Sequence, residues 1–490
     1  MSGLAKENNR PITNFGGNIR FTPRTFYAPT NEAEVLELLD RHAKSKVRVV
    51  GALHSWSPLV HSEEVLVDLR HFDSVAVHKE PDGVVWATVG GGCRIKHLLE
   101  KLHSLADATL PSLGLITEQT IAGAISTGTH GSGKHSLSHY MEEVAVAAYD
   151  AETGKARTYV CNEGARLRAA RCSLGCLGII LWVRFRCAPK YDVAESLVPC
   201  ATLDEVVRLE DQFPLQQFYL IPFRWTFFAQ RRRLVPMPSR RSWPAKLYRA
   251  YWFLGIDIGL HLVIKLLAGV LRSSALIRFF YRHVLSLLIV KNQTVVDASE
   301  RMLVMEHELF KHLEIEIFVP ARNVRPASQF VCTVLAVFNG ESAAIPDNIS
   351  LALQEMGMFE PLRQQRGSFT HHYPIAFRRI LPDDTLISMS SSAGEVYYSI
   401  SFITYVEPRE SFFQMASFLA RTMTALFDAR LHWGKYFPLD YEDIKNAYPH
   451  MDDFRRICRQ IDPNGVFRNE FVNRVLGFLS MDRKVGTKQP

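Results

Sequence analysis

The sequence predicts an α+β fold, and three observations carry that expectation. Over its first hundred residues the hydrophobic pattern runs helix, strand, loop, strand, strand, helix, the rhythm of an α+β domain. No G-x-G-x-x-G run opens a helix directly behind the first strand, which argues against a doubly wound fold and the nicotinamide binding that goes with it. Glycine-rich clusters stand beside the strands, at 51, 111–133 and 173–180, too regularly for incidental turns. With 490 residues, 47% of them hydrophobic, the chain can bury two or three domain cores.

Taken in order, residues 31–43 read as a helix. Asn31 caps it, Glu34 stands three residues on as in a capping box, and Val35, Leu36, Leu38, Leu39 and Ala43 supply one apolar face. Val47 to Val50 form a strand that runs into Gly51, followed by a short loop carrying His54 and Ser55. A strand that ends on glycine turns sharply, and its exposed N–H groups can cradle an anion such as a pyrophosphate. Strands recur at 65–69 and 84–89, the second opening into Gly90-Gly91-Gly92, and an amphipathic helix follows at 95–105. Residues 111–133 pack Gly114, Gly123, Gly128, Gly131 and Gly133 among small and hydroxyl residues, with Ile116, Ile121 and Ile125 interleaved. That mixture suits a backbone-rich wall beside a flat ligand, because close approach needs residues without bulky side chains. The cluster at 173–180 precedes a strand ending near Cys187.

Composition narrows the function classes. A net charge of +7 suits anionic ligands or an acidic membrane surface, and its basic residues are too scattered to argue for nucleic acid. None of the eight cysteines forms a CxxC pair, and no spacing of His, Cys, Asp or Glu predicts a metal site or a disulfide framework. The polar N-terminal residues lack an apolar signal core, so a reducing, cytoplasmic setting is expected.

Together, G-A-L-H-S at 51–55, T-I-A-G-A-I-S-T-G-T-H-G-S-G at 120–133 and S-L-G-C-L-G-I-I at 173–180 resemble the flavin-binding domain of the vanillyl-alcohol-oxidase-type (PCMH-type) FAD family. Within it the likeness runs to the sugar-1,4-lactone and alditol oxidases. Leu431-His432-Trp433-Gly434-Lys435 resembles their H-W-[GA]-K motif, and Asp462-Pro463 to Asn469 resembles their D-P-x-x-x-F-x-N tail. The resemblance implies a two-subdomain FAD-binding domain over 1–190, a substrate (cap) domain over 191–430 with a helical insertion near 240–292, and a C-terminal segment, 431–490, that returns to complete the FAD site. It implies FAD joined covalently through His54. It also implies cofactor contacts from Gly51, Ser55, Gly114, Thr120, Gly123, Ser126, Thr127, Gly128, Thr129, His130, Gly131, Gly178, Ile179 and Lys435. Lys435 is expected to brace the charge on reduced flavin, and glycine rather than alanine at 114 leaves a path for oxygen.

The middle of the chain resembles the family least. Residues 243–290 are rich in Leu, Ile, Phe, Tyr and Trp but punctuated by Lys246, Arg249, Asp257, Lys265, Arg272, Arg278 and Arg282, and are preceded by Arg231-Arg232-Arg233 and Arg240-Arg241. No uninterrupted run reaches the roughly 20 apolar residues of a membrane-spanning helix. The stretch therefore reads as basic amphipathic helices, suited either to packing on the cap or to peripheral contact with an anionic bilayer. Strands are expected at 313–319, 329–338, 386–390 and 396–405. The family's E-x-R strand is matched at Arg378, the expected substrate-oxygen ligand, but Ala376 stands where the glutamate is expected. His371 and His372 are candidate stand-ins, though paired loop histidines are ordinarily solvent-facing.

The function implied is an FAD-dependent oxidase that moves hydride from a carbinol C–H of an aldonolactone or polyol to flavin N5 and reduces oxygen to peroxide, with Arg378 and Lys435 as catalytic residues. Two alternatives stay open: an FAD enzyme acting on a lipid or sterol-like alcohol at a membrane surface, which Ala376 favours, and a flavin-binding scaffold without catalysis.

Overall fold

The computed structural model of the chain describes residues 6–7, 10–235, 243–305 and 309–478, so Arg240-Arg241 and the last residues lie outside the described ones. β1 (Lys6–Glu7), β2 (Thr25–Tyr27), β3 (Val47–Val50) and β4 (Val65–Asp68) form one sheet in the order β1-β2-β4-β3, parallel except at β1. Parallel neighbours need a crossover, and α1 (Glu32–Arg41) supplies it, burying Val35, Leu38 and Leu39. Asn31 caps this helix from the predicted position, accepting the Glu34 N–H at 3.0 Å. The Glu34 carboxylate reaches back one residue further than a capping box requires, to the Thr30 N–H at 2.8 Å.

A second, antiparallel sheet runs β8-β7-β9-β6-β5, from β5 (Val75–Lys79), β6 (Val85–Gly90), β7 (Met141–Tyr149), β8 (Ala156–Cys161) and β9 (Ile179–Arg186). α2 (Ile95–Ala106) and α3 (Ile121–Ser126) follow β6 in sequence. The third sheet has eight antiparallel strands: β10 (Asp192–Cys200), β11 (Gln217–Ile221), β12 (Thr226–Val235), β13 (Val295–Ala298), β14 (Leu313–Pro320), β15 (Ile375–Ile380), β16 (Tyr397–Thr404) and β17 (Arg430–Leu431), ordered β13-β10-β12-β11-β15-β16-β14-β17. Leu313, Ile315, Ile317 and Val319 of β14 join the main apolar core, which leaves Glu314 and Glu316 on the opposite face by strand alternation. All of this matches the α+β class expected.

Three local expectations change. Residues 329–338 are helical, inside α5, which is the helix Val324–Phe338 further along the chain than the insertion helix α4 (Pro244–Val270). A short apolar run buried on nearly every side has no periodicity that separates strand from helix. The stretch 386–390 is irregular because its hydroxyls close on Asp383, whose carboxylate accepts from Thr385, Ser388, Ser390 and Ser136 at 2.6 to 2.9 Å. His371 and His372 are buried rather than solvent-facing, packed with Phe369 and Phe402, and burial pushes them to about 3 and about 4 respectively. They do not reach the cleft described below.

The insertion changes a fourth. α4 is one continuous helix of 27 residues, long and apolar enough to cross a membrane by length and composition. Asp257, His261 and Lys265 break an uninterrupted apolar count, but Asp257 and His261 lie four apart and share one helical face. With the following helical turns at Ser274–Phe279 and Leu285–Leu288, α4 builds its own small core: Leu260, Ile264, Ile277, Phe280, Tyr281 and Leu285 pack on Leu197, Ile221, Phe228 and Tyr373.

One buried cation ties the N-terminal sheet to the chain's end. Arg48, 4% exposed on β3, donates from Nε to Leu59 O at 2.6 Å, from Nη2 to Leu174 O at 2.7 Å, and from Nη1 to Gly175 O at 3.2 Å and to Phe467 O. Alongside it Val47 N–H donates to Val466 O at 2.9 Å, and Asn469 Nδ2 to Pro58 O at 2.8 Å. Arg48→Leu leaves these buried carbonyls without donors. The expected loss is about 4 kcal/mol of stability, read as a lowered urea unfolding midpoint; a change near zero would deny Arg48 this role.

Candidate functional site

A long cleft runs between the two N-terminal sheets and the polar face of the eight-stranded sheet. Its inner wall consists of Gly51, Ala52, His54 and Ser55 behind β3, Gly91 and Gly92 behind β6, Thr120, Gly123, Ser126 and Thr127 of the α3 segment, and Gly175 and Gly178 before β9. Small residues are required here by contact. A Cβ on Gly51 would stand 2.3 Å from Thr120 Oγ1, and one on Gly92 would stand 1.8 Å from Leu69 O. Thr120 itself is occupied as the α3 cap, accepting the Gly123 N–H at 3.3 Å.

The outer wall is the sheet. Register places Glu316 on β14 opposite Ser401 on β16, Ser401 opposite Ala376 on β15, and Ala376 opposite Tyr219 on β11. Two residues along, Arg378 faces the same cleft. Its Nη1 lies 3.4 Å from Glu316 Oε1 and 3.3 Å from Ser401 Oγ, and its Nε 3.3 Å from Gln217 Oε1.

The C-terminal segment closes the site. Trp56 N–H donates to Gly434 O at 2.8 Å and Ser57 Oγ to Trp433 O at 2.5 Å, so the His54 loop is stitched to the H-W-G-K segment. His54 and Lys435 therefore line one cleft. Lys435 Nζ is paired with the Glu314 carboxylate and sits 4.2 Å above the Trp56 ring. His432 Nδ1 accepts the Gly434 N–H at 3.0 Å, which fixes its proton on Nε2.

His130, Glu316 and His432 meet here, their ligand-type atoms within 4.8 Å of one another. His130 Nε2 lies 3.3 Å from Glu316 Oε1, and its Nδ1 lies 2.9 Å from Gly131 O. Burial pushes the Glu316 carboxyl up, but the charge and hydrogen bond of His130, with the Lys435 ammonium, outweigh it and hold it well below the usual range. Burial pushes His432 down to about 3, so that imidazole is neutral. Sequence spacing predicted no metal site, and it gave no sign of this cluster. Arg378 on the same carboxylate sets a fixed positive charge against any cation there.

Of the residues singled out by sequence, Gly51, His54, Ser55, Thr120, Gly123, Ser126, Thr127, Thr129, His130, Gly178, Arg378 and Lys435 line the cleft. Gly114, Gly128, Gly131 and Ile179 stand outside its lining. A Cβ on Gly114 would press Thr129 Cγ2 at 2.7 Å, one on Gly131 would meet Leu113 O at 2.3 Å, Gly128 turns the chain at φ +73° beside Met389, and Ile179 is core on β9. These four shape the wall from behind. Sequence reasoning passed over Glu314, Glu316, Ser401, Tyr405 and His432. Glutamates alternating with Leu and Ile at 313–317 were the available signal, because acids on a strand whose other face is core must face something polar.

Comparison with known proteins identifies the family. The D-arabinono-1,4-lactone oxidase family matches residues 183–475, and the FAD binding domain family matches residues 23–155. A long-chain alcohol oxidase from an uncultured marine euryarchaeote is 48% identical over 94% of this chain and 96% of that one. Mouse L-gulonolactone oxidase is 26% identical over 93% and 95% of the two chains. The crystal structure of cholesterol oxidase from B. sterolicum superposes with a TM-score of 0.72 at 14% identity, covering 96% of this chain and 97% of that one, a likeness of fold. The chain belongs to the D-arabinono-1,4-lactone oxidase family, FAD-dependent oxidoreductases that include the sugar-lactone and alditol oxidases. The inner wall fits FAD on its own terms: glycine-lined backbone and the hydroxyls of Ser55, Ser126 and Thr127 border one cleft that ends at Lys435 and Arg378.

Burial of neutral histidines gives the protein a pH signature. His432, His371, His372 and His261 sit at about 3, 3, 4 and 4 against an ordinary 6.5. Between those values the unfolded chain binds protons that the folded chain refuses, so stability is full above pH 6.5 and falls on acidification, by up to about 1.4 kcal/mol per pH unit for each group. Unfolding midpoints measured downward from that pH should drop steeply, and His371→Leu should flatten the slope by about one proton. An unchanged slope would exclude His371 as a contributor.

Proposed function

We propose that the protein oxidises the carbinol carbon of a long-chain primary alcohol to the aldehyde, with molecular oxygen reduced to hydrogen peroxide. The observation that carries this is the character of the cleft outside its polar end: Leu115, Ile116, Met305, Leu309, Phe310, Ile403 and Tyr405 line it. At the polar end both carboxylates are already engaged, Glu314 by Lys435 and Glu316 by His130 and Arg378. A polyhydroxy substrate needs several uncommitted polar partners, and Ala376 contributes a methyl group where a carboxylate was expected. The identity of the 48% relative supports the same choice.

When bound, FAD supplies the acceptor for the hydride and the carrier that oxygen reoxidises. Gly51, Ser55, Thr120, Gly123, Ser126 and Thr127 are the residues to hold it, with Lys435 as a fixed cation. The rest falls to the chain's own groups. Arg378, anchored between Gln217, Ser401 and Glu316, donates to the alcohol oxygen and holds its carbinol carbon in place. The Glu316 carboxylate, the anionic member of the His130–Glu316 pair, receives the hydroxyl proton as the C–H bond breaks. His432, neutral and fixed by Gly434, lends its Nε2–H to the same cluster. The apolar stretch excludes water from the reacting end and grips the chain. Glycine at 114, where alanine would crowd Thr129, supports oxygen as the acceptor.

Straight-chain primary alcohols tested for peroxide release should show kcat/KM rising about fourfold per methylene until the cleft is filled. Glu316→Gln should lower kcat by about a hundredfold with every chain length. Aldonolactones outrunning the alcohols would favour the sugar-lactone reading, for which Glu316, across Ser401 from Ala376, would supply the carboxylate. No peroxide from either class would favour a scaffold.

We also infer that His54 carries the flavin covalently; its place in the same cleft wall as Gly51 and Ser55, stacked 5.2 Å from the Phe15 ring, supports this. Denaturing electrophoresis should show a fluorescent band that His54→Ala abolishes. A dark wild-type band from yellow protein would leave FAD bound without the bond.

A further inference from the structure

The helix that walls the cleft mouth turns a different side to solvent. Asp257 and His261 of α4 line the cleft, and the His261 ring is held there, 2.9 Å from the Tyr373 hydroxyl and stacked 4.6 Å from Phe310. On the other side Leu254, Leu262, Leu266 and Val270 are 62%, 53%, 50% and 73% exposed, at spacings of eight, four and four that align them in one stripe. The helical turns that follow add Phe279 and Leu287, 57% and 80% exposed. Singly exposed leucines are ordinary, but a contiguous apolar face of this extent marks a surface that meets something apolar.

The charge around that face identifies the occupant. Residues 243–291 contain seven Lys and Arg against one acid, Asp257, so a tenth of the chain carries six of its seven net positive charges. Lys246, Lys265, Arg272, Arg282 and Lys291 are exposed, Arg282 lying 3.7 Å from the Glu341 carboxylate and Lys265 over the Phe310 ring, whereas Asp257 lines the cleft. An apolar stripe with a cationic border and no outward acid is the complement of an anionic bilayer, whose headgroups meet the cations as the acyl layer takes the leucines.

We propose that this insertion docks in the plane of an anionic membrane and sets the cleft mouth against the acyl layer. The surface itself stands on the insertion's own residues; that it delivers a membrane-dissolved alcohol rests on the substrate reading above. The helix docks rather than spans because its inner side is committed to the body. Tyr248 donates to the buried Glu195 carboxylate at 2.7 Å, and Leu260 and Ile264 are core. Withdrawing α4 into a bilayer would dismantle the mouth. Leu309, 53% exposed, and Leu115, 37% exposed, extend the apolar surface from the stripe into the cleft.

The test is flotation of the full-length flavoprotein with phosphatidylcholine vesicles, with and without phosphatidylglycerol. The protein is expected to float with the anionic vesicles, to stay behind with the neutral ones, and to be released by high salt. Leu262→Ser with Leu266→Ser should weaken binding by about tenfold or more. Arg272→Glu with Arg282→Glu should do the same. Both pairs should leave the oxidation of a short, water-soluble alcohol unchanged, which shows that the fold and the site are intact. Equal recovery in the aqueous fraction with and without anionic vesicles overturns the proposal, as does vesicle-bound protein that resists salt and alkaline carbonate, which would mean spanning. Binding without oxidation of long-chain alcohols would sink the substrate reading and leave the docking surface standing.

Discussion

The geometry of the cleft depends on a buried guanidinium that is held by main-chain carbonyls. Arg48 spends its hydrogen-bonding capacity on main-chain carbonyls from three separate segments, at 59, 174–175 and 467. Burial alone drives its charge toward neutrality, and desolvation does press its pKa down. The carbonyl dipoles make the charged form tolerable, and in exchange three chain segments far apart in sequence take fixed positions around β3. Two of those positions matter directly. The loop at 174–178 is one side of the cleft's inner wall, and the segment at 466–469 anchors the C-terminal return that brings Lys435 to the other. A lysine could not do this, because one ammonium offers three donors from a point rather than a planar fork.

The second constraint is sheet alternation. β14 places Leu313, Ile315, Ile317 and Val319 in the core and so has no choice about where Glu314 and Glu316 point. Two buried carboxylates on one face are tolerable only with cations against them. Lys435 comes from the returning tail, Arg378 from the strand two over, and His130 from the glycine-rich segment. The polar end of the cleft is thus assembled from all three parts of the chain, which makes correct docking of the sheets a precondition for any charge balance within it.

Much of this was legible before any coordinates. The helix at 31–43 and the strand at 47–50 could be read because caps and β-branched runs act locally. The glycine clusters could be read because close backbone contact tolerates no other residue, as Gly51 against Thr120 illustrates. What escaped was set by tertiary contact. α5 resembles a strand in sequence because it is buried nearly all round. The buried state of His371 depends on Phe369 and Phe402, the second of them 31 residues downstream. Glu316 and His432 are 116 positions apart, so no spacing rule could have joined them to His130.

Ala376 is best understood through the same charge balance. Across the sheet it is one strand from Ser401 and two from Glu316, on the face that already holds Glu314 and Glu316. Arg378 and Lys435 neutralise that pair, and His130 shares the Glu316 charge. A third carboxylate at 376 would tip the site negative, at a cost on the order of 2 kcal/mol from its nearest like-charged neighbour alone. It would be tolerable only if a substrate brought hydroxyl donors to satisfy it, as a polyol does. An alkyl alcohol brings one hydroxyl, which Arg378 and the His130–Glu316 pair can serve completely. The methyl group at 376 is consistent with one demand: the charged groups at the polar end, Glu314, Glu316, Arg378 and Lys435, are already paired with one another and with His130 before any substrate arrives.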